Sequence, residues 1–348
     1  TESFERMKAE MQADGSFKAV MEKVPTRTVA PRERLMADRP AEIPYTGDKG
    51  WQLADVLDGR VSLDDFVAQI SDEELITIFR GEGMCSPRVT PGVAAAFGGV
   101  SDGLLKLGIP AAGCSDGPSG IRMDCGTKAF SMPNGTALGC TFNLSLVKEL
   151  YEMAGQELRL NKIDSLLGPG MNIHRHPLNG RNFEYISEDP YLTGKICAAQ
   201  LLGMDKYGIA GTVKHFCANN QEAARRKTDA EISERALREI YLKGFEIAVK
   251  EGKARSVMTT YSSVNGLWTA GSYDLNTTIL RKEWGFDGIV MTDWWADANY
   301  EGNPCDHQAK APMLAAQNDL YMVTSRPADN PENDDMQRKL EEGYITRG

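Results

Sequence analysis

Gly285-Phe286-Asp287-Gly288-Ile289-Val290-Met291-Thr292-Asp293-Trp294-Trp295 is the stretch on which the fold turns. Gly288 breaks any helix, and Ile289-Val290-Met291 is then a short apolar run bounded by turn residues, the pattern of a fully buried strand. A core strand gains nothing from a carboxylate at its tip. A pocket at the C-terminal ends of parallel strands needs one. Two tryptophans beside that acid suit a sugar, whose C–H faces stack on rings while its reacting carbon meets an oxygen nucleophile. The duller alternative is a loop-capping Asp with two packed indoles.

Working outward, short apolar runs alternate with helical stretches. Strands are predicted at residues 108–112, 165–167, 210–213, 256–260, 288–291 and 319–322. Helices are predicted at 144–160, 192–207, 233–250 and 275–284. Strand, loop and helix repeated in this way indicate an α/β fold with a parallel sheet. The length from about residue 80 to 325 favours a (β/α)8 TIM-like barrel over an open sheet. No GxGxxG or GxxxxGK[ST] occurs, which argues against dinucleotide and P-loop folds.

Outside that region, Ser62 and Ser71-Asp72-Glu73-Glu74 read as helix starts. Residues 1–24, with Phe4, Met7, Met11 and Phe17 among charges, suggest an amphipathic helix. The tract holding Pro25, Pro31, Pro40 and Pro44 suggests an extended linker. The organisation expected is therefore 1–60 as an N-terminal helical and linker extension to a preceding domain, 61–325 as the barrel, and 326–348 as a tail that looks truncated.

The chain has 348 residues, 49 acidic against 39 Lys and Arg, and a net charge of −10. That disfavours nucleic acid or an anionic membrane as partner, since both need a basic face. No apolar run is long enough to span a bilayer and no signal peptide opens the chain. The seven cysteines are scattered without a CxxC pair, which fits free thiols in a reducing cytoplasm. No cofactor is expected.

A barrel keeps its chemistry on the loops after its strands. Those loops carry, in order, Asp116 to Arg122, Asn172 to Glu184, Lys214-His215, Asn219 to Arg225, Met258 to Tyr261, and Asp293-Trp294. Each has a bland alternative. The arginines could form surface ion pairs, and Lys214 could be a Schiff-base lysine of an aldolase-like barrel. His174-x-His176 has metal-ligand spacing but no evident acidic or Cys partner, so no metal is expected. Packing alone does not explain several consecutive strand ends bearing donors and acceptors for hydroxyls.

The run GPGMNIHRHPLNGRNFEYISEDPYLTG, the segment KHFCANNQE, and VMTTYSSVNG and VMTDWWA resemble glycoside hydrolase family 3, most closely its bacterial β-glucosidases. The likeness extends from about Val61 to Met322. It implies a retaining β-glucosidase barrel with Asp293 as nucleophile. It also implies that Asp116, Arg122, Arg181, Lys214, His215 and Arg225 hold the hydroxyls of the −1 sugar. Tyr261 matches the residue beside the nucleophile, and Met258 and Trp294 match apolar wall positions. β-Xylosidase or another exo-β-glycosidase activity, or a non-catalytic sugar-binding subunit, are the alternatives.

Retaining hydrolysis needs a second carboxyl about 5–5.5 Å from the first. In similar family members that Glu comes from a separate α/β sandwich, and no such domain is evident in this chain. The branch with a His acid/base after KHFPGHG is disfavoured, because KHF continues here as CANNQE. The resemblance therefore implies inverted domain order, with the sandwich and its acid/base Glu on a second polypeptide or a preceding segment. The implied substrate is a β-glucoside or cello-oligosaccharide.

Overall fold

In the computed structural model, which describes residues 5–23 and 31–348, the apolar run before Asp293 is a strand, Ile289–Met291. The chain divides into two units between Asp38 and Arg39. The first holds an antiparallel hairpin, β1 (Glu5–Met11) and β2 (Phe17–Lys23), then a helix, Pro31–Ala37. The helix expected over 1–24 is thus corrected to a hairpin within the described residues. Residues 1–4 and 24 lie outside them. Met7, Ala9 and Met11 lie in register with Met21, Ala19 and Phe17, so the apolar residues line one face at strand period. Asp14-Gly15 makes the turn, with Gly15 at φ 82 and Ser16 N–H donating to Asp14 Oδ1 at 2.9 Å. Of the expected linker, Pro25 lies outside the described residues and Pro31 opens a helix instead of an extended segment.

The second unit is built on an eight-stranded sheet. Its strands are β3 (Arg80–Glu82), β4 (Ala95–Gly98), β5 (Ala111–Ser115), β6 (Ser165–Leu166) and β7 (Ala210–Phe216). The sheet continues with β9 (Ser256–Thr259), β12 (Ile289–Met291) and β13 (Tyr321–Thr324), while β8 (Asp229–Ala230), β10 (Ser263–Val264) and β11 (Leu267–Trp268) form a separate three-stranded sheet. The order is β12-β9-β7-β6-β5-β4-β3-β13, and a parallel bridge from Met291 to Leu320 brings its two ends together. This is the TIM-like barrel expected, with one departure. β4 runs antiparallel to both β3 and β5. The connection from β3 to β4 contains no helix, and without a crossover helix two neighbouring strands pair antiparallel.

Helices pack outside the sheet. Leu144–Leu160 and Pro190–Asp205 lie side by side through glycines: a Cβ on Gly203 would sit 2.5 Å from Lys148 O, and one on Gly155 would sit 3.0 Å from Met204 Cα. Ser62 and Ser71 cap their helices as expected, accepting from Asp65 N and Glu74 N. The segment expected as one helix over 233–250 is divided into Glu234–Ala236, a wider π-type turn at Leu237–Tyr241, and Lys243–Lys250. After β13 the chain stays folded. Met336 and Ile345 are buried in one cluster with Ile76, Phe79 and Tyr321. Arg80 pairs with Asp334 at 2.8 Å. Among the described residues no helix is long and apolar enough to cross a membrane.

Candidate active site

Strand register gathers the candidate residues. Lys214 on β7 is opposite Met258 on β9, and Met258 is opposite Met291 on β12. Gly170, after β6, bridges to Lys214 on the other side. One row across the C-terminal ends of four parallel segments therefore presents Gly170, Lys214, Met258 and Met291, with Asp293 two residues on. Lys214 and His215 belong to the strand itself, because β7 extends to Phe216, three residues beyond the expected end. That rigid placement buries both, at 3% and 1% exposure.

Asp293 is buried. Its Oδ1 accepts from the Trp294 N–H at 2.7 Å, while Oδ2 is a buried oxygen without a hydrogen bond, 3.6 Å from His215 Nε2. Burial pushes this carboxyl above its ordinary range. Arg181, the Trp294 N–H, Lys214 and the Tyr261 phenol pull the other way without fully offsetting it. The cationic surround thus tempers the desolvation of Asp293 and does not outweigh it. Lys214 Nζ donates to Asp116 Oδ1 at 3.0 Å and lies 3.9 Å from Glu184 Oε2. At Asp116 burial is again the largest influence, but Lys214, the Gly117 N–H and Arg181 prevail and hold this carboxyl below the usual range.

His215 is clamped. Asn172 accepts from its backbone N–H and donates to its carbonyl, each at 2.9 Å. Its Nδ1 lies 3.0 Å from the Tyr185 hydroxyl, which accepts from Asn219 Nδ2 at 2.8 Å. Burial, then Arg181, Lys214 and Arg225, push its pKa well below the ordinary value, so the imidazole is neutral. A neutral ring carries one proton. With Asn219 already donating to the phenol oxygen, the phenol proton is free for Nδ1. That arrangement favours the tautomer with the imidazole proton on Nε2, facing Asp293 in place of a lone pair. Tyr185, Asn219 and Asn172 were not separable by sequence from their loops; only their place in the motifs hinted at them.

Arg181 bonds Glu184, which is buried, and Arg225 Nη1 donates to Glu222 Oε2 at 2.8 Å. The Arg225 guanidinium lies 4.5 Å from the centre of the Tyr261 ring, and Tyr261 is buried against Asp293. Met258 packs with Met291, Leu320, Met322 and Trp294 as an apolar floor. Arg122 is the most peripheral candidate: its side chain is mostly exposed, 4.0 Å from Asp116 and bonded to Asp124 at 3.0 Å. Among the described residues, the other carboxyls at the cluster, Asp116, Glu184 and Glu222, each have a cationic partner. His174 and His176 do not form a metal site with acidic or Cys neighbours among the described residues.

A buried carboxylate oxygen thus stands near a neutral imidazole, a lysine and an arginine, above an apolar floor at the strand ends of the barrel. Residues 52–347 match the glycosyl hydrolase family 3 N terminal domain, and the chain belongs to that family. It is 60% identical over 326 residues to a β-glucosidase of Ruminococcus albus, covering 94% of this chain and 34% of that protein. A β-glucosidase from Paenibacillus barengoltzii superposes with a TM-score of 0.94 at 56% identity, over 100% of this chain and 38% of that one. β-Glucosidase 3B from Thermotoga neapolitana, solved with glucose, superposes with a TM-score of 0.72 at 36% identity, over 81% and 40% of the two chains. The chain thus spans little more than a third of the relatives it matches.

Proposed function

We propose that this chain is the nucleophile-bearing barrel of a retaining β-glucosidase, which removes terminal non-reducing β-D-glucosyl residues. The observation that carries the proposal is the buried, hydrogen-bond-free Oδ2 of Asp293 at the end of a parallel strand. An orphaned acceptor in a ring of donors is costly unless a substrate uses it. Asp116, Lys214, His215, Arg181, Arg225 and Arg122 surround a sugar in the −1 subsite, and the Tyr261, Met258 and Trp294 side chains line its apolar side. Glucose bound to the Thermotoga relative supports a hexose there.

In the first step Asp293 Oδ2 attacks C1, the C1–O bond to the leaving group breaks, and the leaving oxygen takes a proton from an acid. In the second, water attacks C1, gives its proton to the same group now acting as base, and Asp293 is released. The acid/base is proposed to be a Glu on another segment or chain, because the neighbouring carboxyls in this one are held by lysine or arginine. Domain limits of 1–60, 61–325 and 326–348 remain part of the proposal, as does a cytoplasmic setting.

The test uses the complete enzyme, meaning this chain together with the part carrying the acid/base. A fluorinated glucoside that traps glycosyl-enzymes should label the peptide containing Asp293, and Asp293→Ala should lower kcat by several orders of magnitude with the fold intact. Label on any other carboxylate overturns the assignment.

A further inference from the structure

Two arginines reach the Tyr261 ring. Arg225 is engaged by Glu222, whereas Arg226 makes contacts of a different kind. Its Nη1 donates to the Trp295 carbonyl at 2.9 Å and its Nη2 to the Trp294 carbonyl at 3.2 Å. Its guanidinium carbon lies 4.6 Å from the Tyr261 ring centre. Among the described residues, these donors go to backbone carbonyls and not to a carboxylate.

The two carbonyls belong to the turn directly after Asp293, whose Trp294 N–H holds Asp293 Oδ1. That turn needs external support. Trp295 sits at φ 55, a left-handed conformation that a bulky aromatic rarely adopts. Its N–H is held by the Met322 carbonyl at 2.6 Å, and its carbonyl by Arg226. A planar guanidinium donates from two nitrogens in a fixed geometry while its face lies on an aromatic ring; a lysine ammonium lacks that fixed fork.

We propose that Arg226 is a positioning residue, which ties the Trp294–Trp295 turn to Tyr261 and so orients the Asp293 carboxylate for attack. Tyr261 and the Trp294 N–H are the two groups through which it acts. The proposal rests on Asp293 being the nucleophile. Asp116 and Lys214, on other strand ends, hold the sugar independently of this turn. Loss of Arg226 therefore slows the chemical step more than it weakens ground-state binding, to which the turn contributes only the apolar wall at Trp294 and Tyr261, because misorientation of a reacting group costs rate.

The experiment compares wild type, Arg226→Met and Arg226→Lys in the complete enzyme. The fluorinated glucoside counts active sites and gives the labelling rate, and glucose inhibition gives ground-state binding. Arg226→Met should label Asp293 to full stoichiometry about tenfold more slowly, with glucose inhibition weakened by clearly less than that factor; a misplacement of an ångström costs up to about 100-fold. Arg226→Lys should recover only part of the rate. An unchanged labelling rate per active site in Arg226→Met overturns the proposal. So does a loss explained wholly by fewer active sites, which would make Arg226 a stabilising residue only. Wild-type label at another carboxylate would instead overturn Asp293 as nucleophile, so the two failures are distinguishable.

Discussion

Two carboxylates within reach of the same lysine are tuned in opposite directions. Burial pushes Asp293 up, while Lys214 at 3.0 Å helps to hold Asp116 down. For Asp116 the folded pKa lies below the ordinary 3.8, so its contribution to stability is present above that value. The contribution is lost as pH falls through the folded pKa. We expect Asp116→Ala to lower kcat/KM on β-glucosides by roughly 5- to 150-fold, equivalent to about 1–3 kcal/mol for leaving the buried Lys214 without its acceptor. The stability gap between wild type and variant, measured by denaturant unfolding, should narrow as the pH falls below the usual carboxylate range. Unchanged kcat/KM with lowered stability would make Asp116 structural. A second expectation concerns Tyr185→Phe, which removes the proton that Nδ1 of His215 accepts and leaves the ring packing alone. It should cost about tenfold in kcat/KM, the effect of roughly one buried hydrogen bond. Retention of full activity would refute the tautomer assigned to His215.

At the scale of elements, periodicity was legible where only one period fitted. Residues 144–160 were expected as a helix and form Leu144–Leu160, because Val147, Tyr151, Ala154 and Leu158 repeat at helical spacing and are buried. The hairpin was misjudged for a physical reason. Met7 and Met11 are compatible with both a period of 3.6 and a period of 2, and only the Asp14-Gly15 turn decides between them. Strand ends were harder, since nothing local says that the apolar run 210–213 continues through the polar Lys214 and His215. Tertiary pairing with β9 decides that. The structure brings the motif residues Asp116, Lys214, His215 and Asp293 to neighbouring strand ends, whereas nothing in the sequence points to Arg226: an arginine beside another arginine carries no local signature of what it grips. Helix packing yields its own test. Gly203→Ala would drive a methyl onto the Lys148 carbonyl and separate two helices. Overpacking of this kind costs about 1–3 kcal/mol. We expect a lower urea midpoint with unchanged kcat per active site, since neither helix carries a site residue.

On the proposed reading the chain supplies a nucleophile and hydroxyl ligands, while among the described residues the carboxyls beside them, Asp116, Glu184 and Glu222, are ion-paired. Without general acid assistance an unactivated glucoside forgoes roughly 10²–10⁴-fold. The 348-residue chain alone should therefore fail on cellobiose. A dinitrophenyl glucoside, with its good leaving group, should give a burst followed by slow turnover, because the second step lacks its base. Ordinary cellobiose turnover by the verified isolated chain would place the acid/base within it.

The Lys214–Asp116 pair joins residues 98 positions apart, across the intervening β6. Contacts that distant in sequence incur their loop-closure entropy before they return anything, so they form late and slow the folding of the chain that depends on them. A nascent or half-assembled barrel therefore lacks the Lys214–Asp116 pair on which the proposed sugar site depends. If that site holds a sugar as proposed, the ability arrives together with the closed sheet, a property of contact order as much as of side chains.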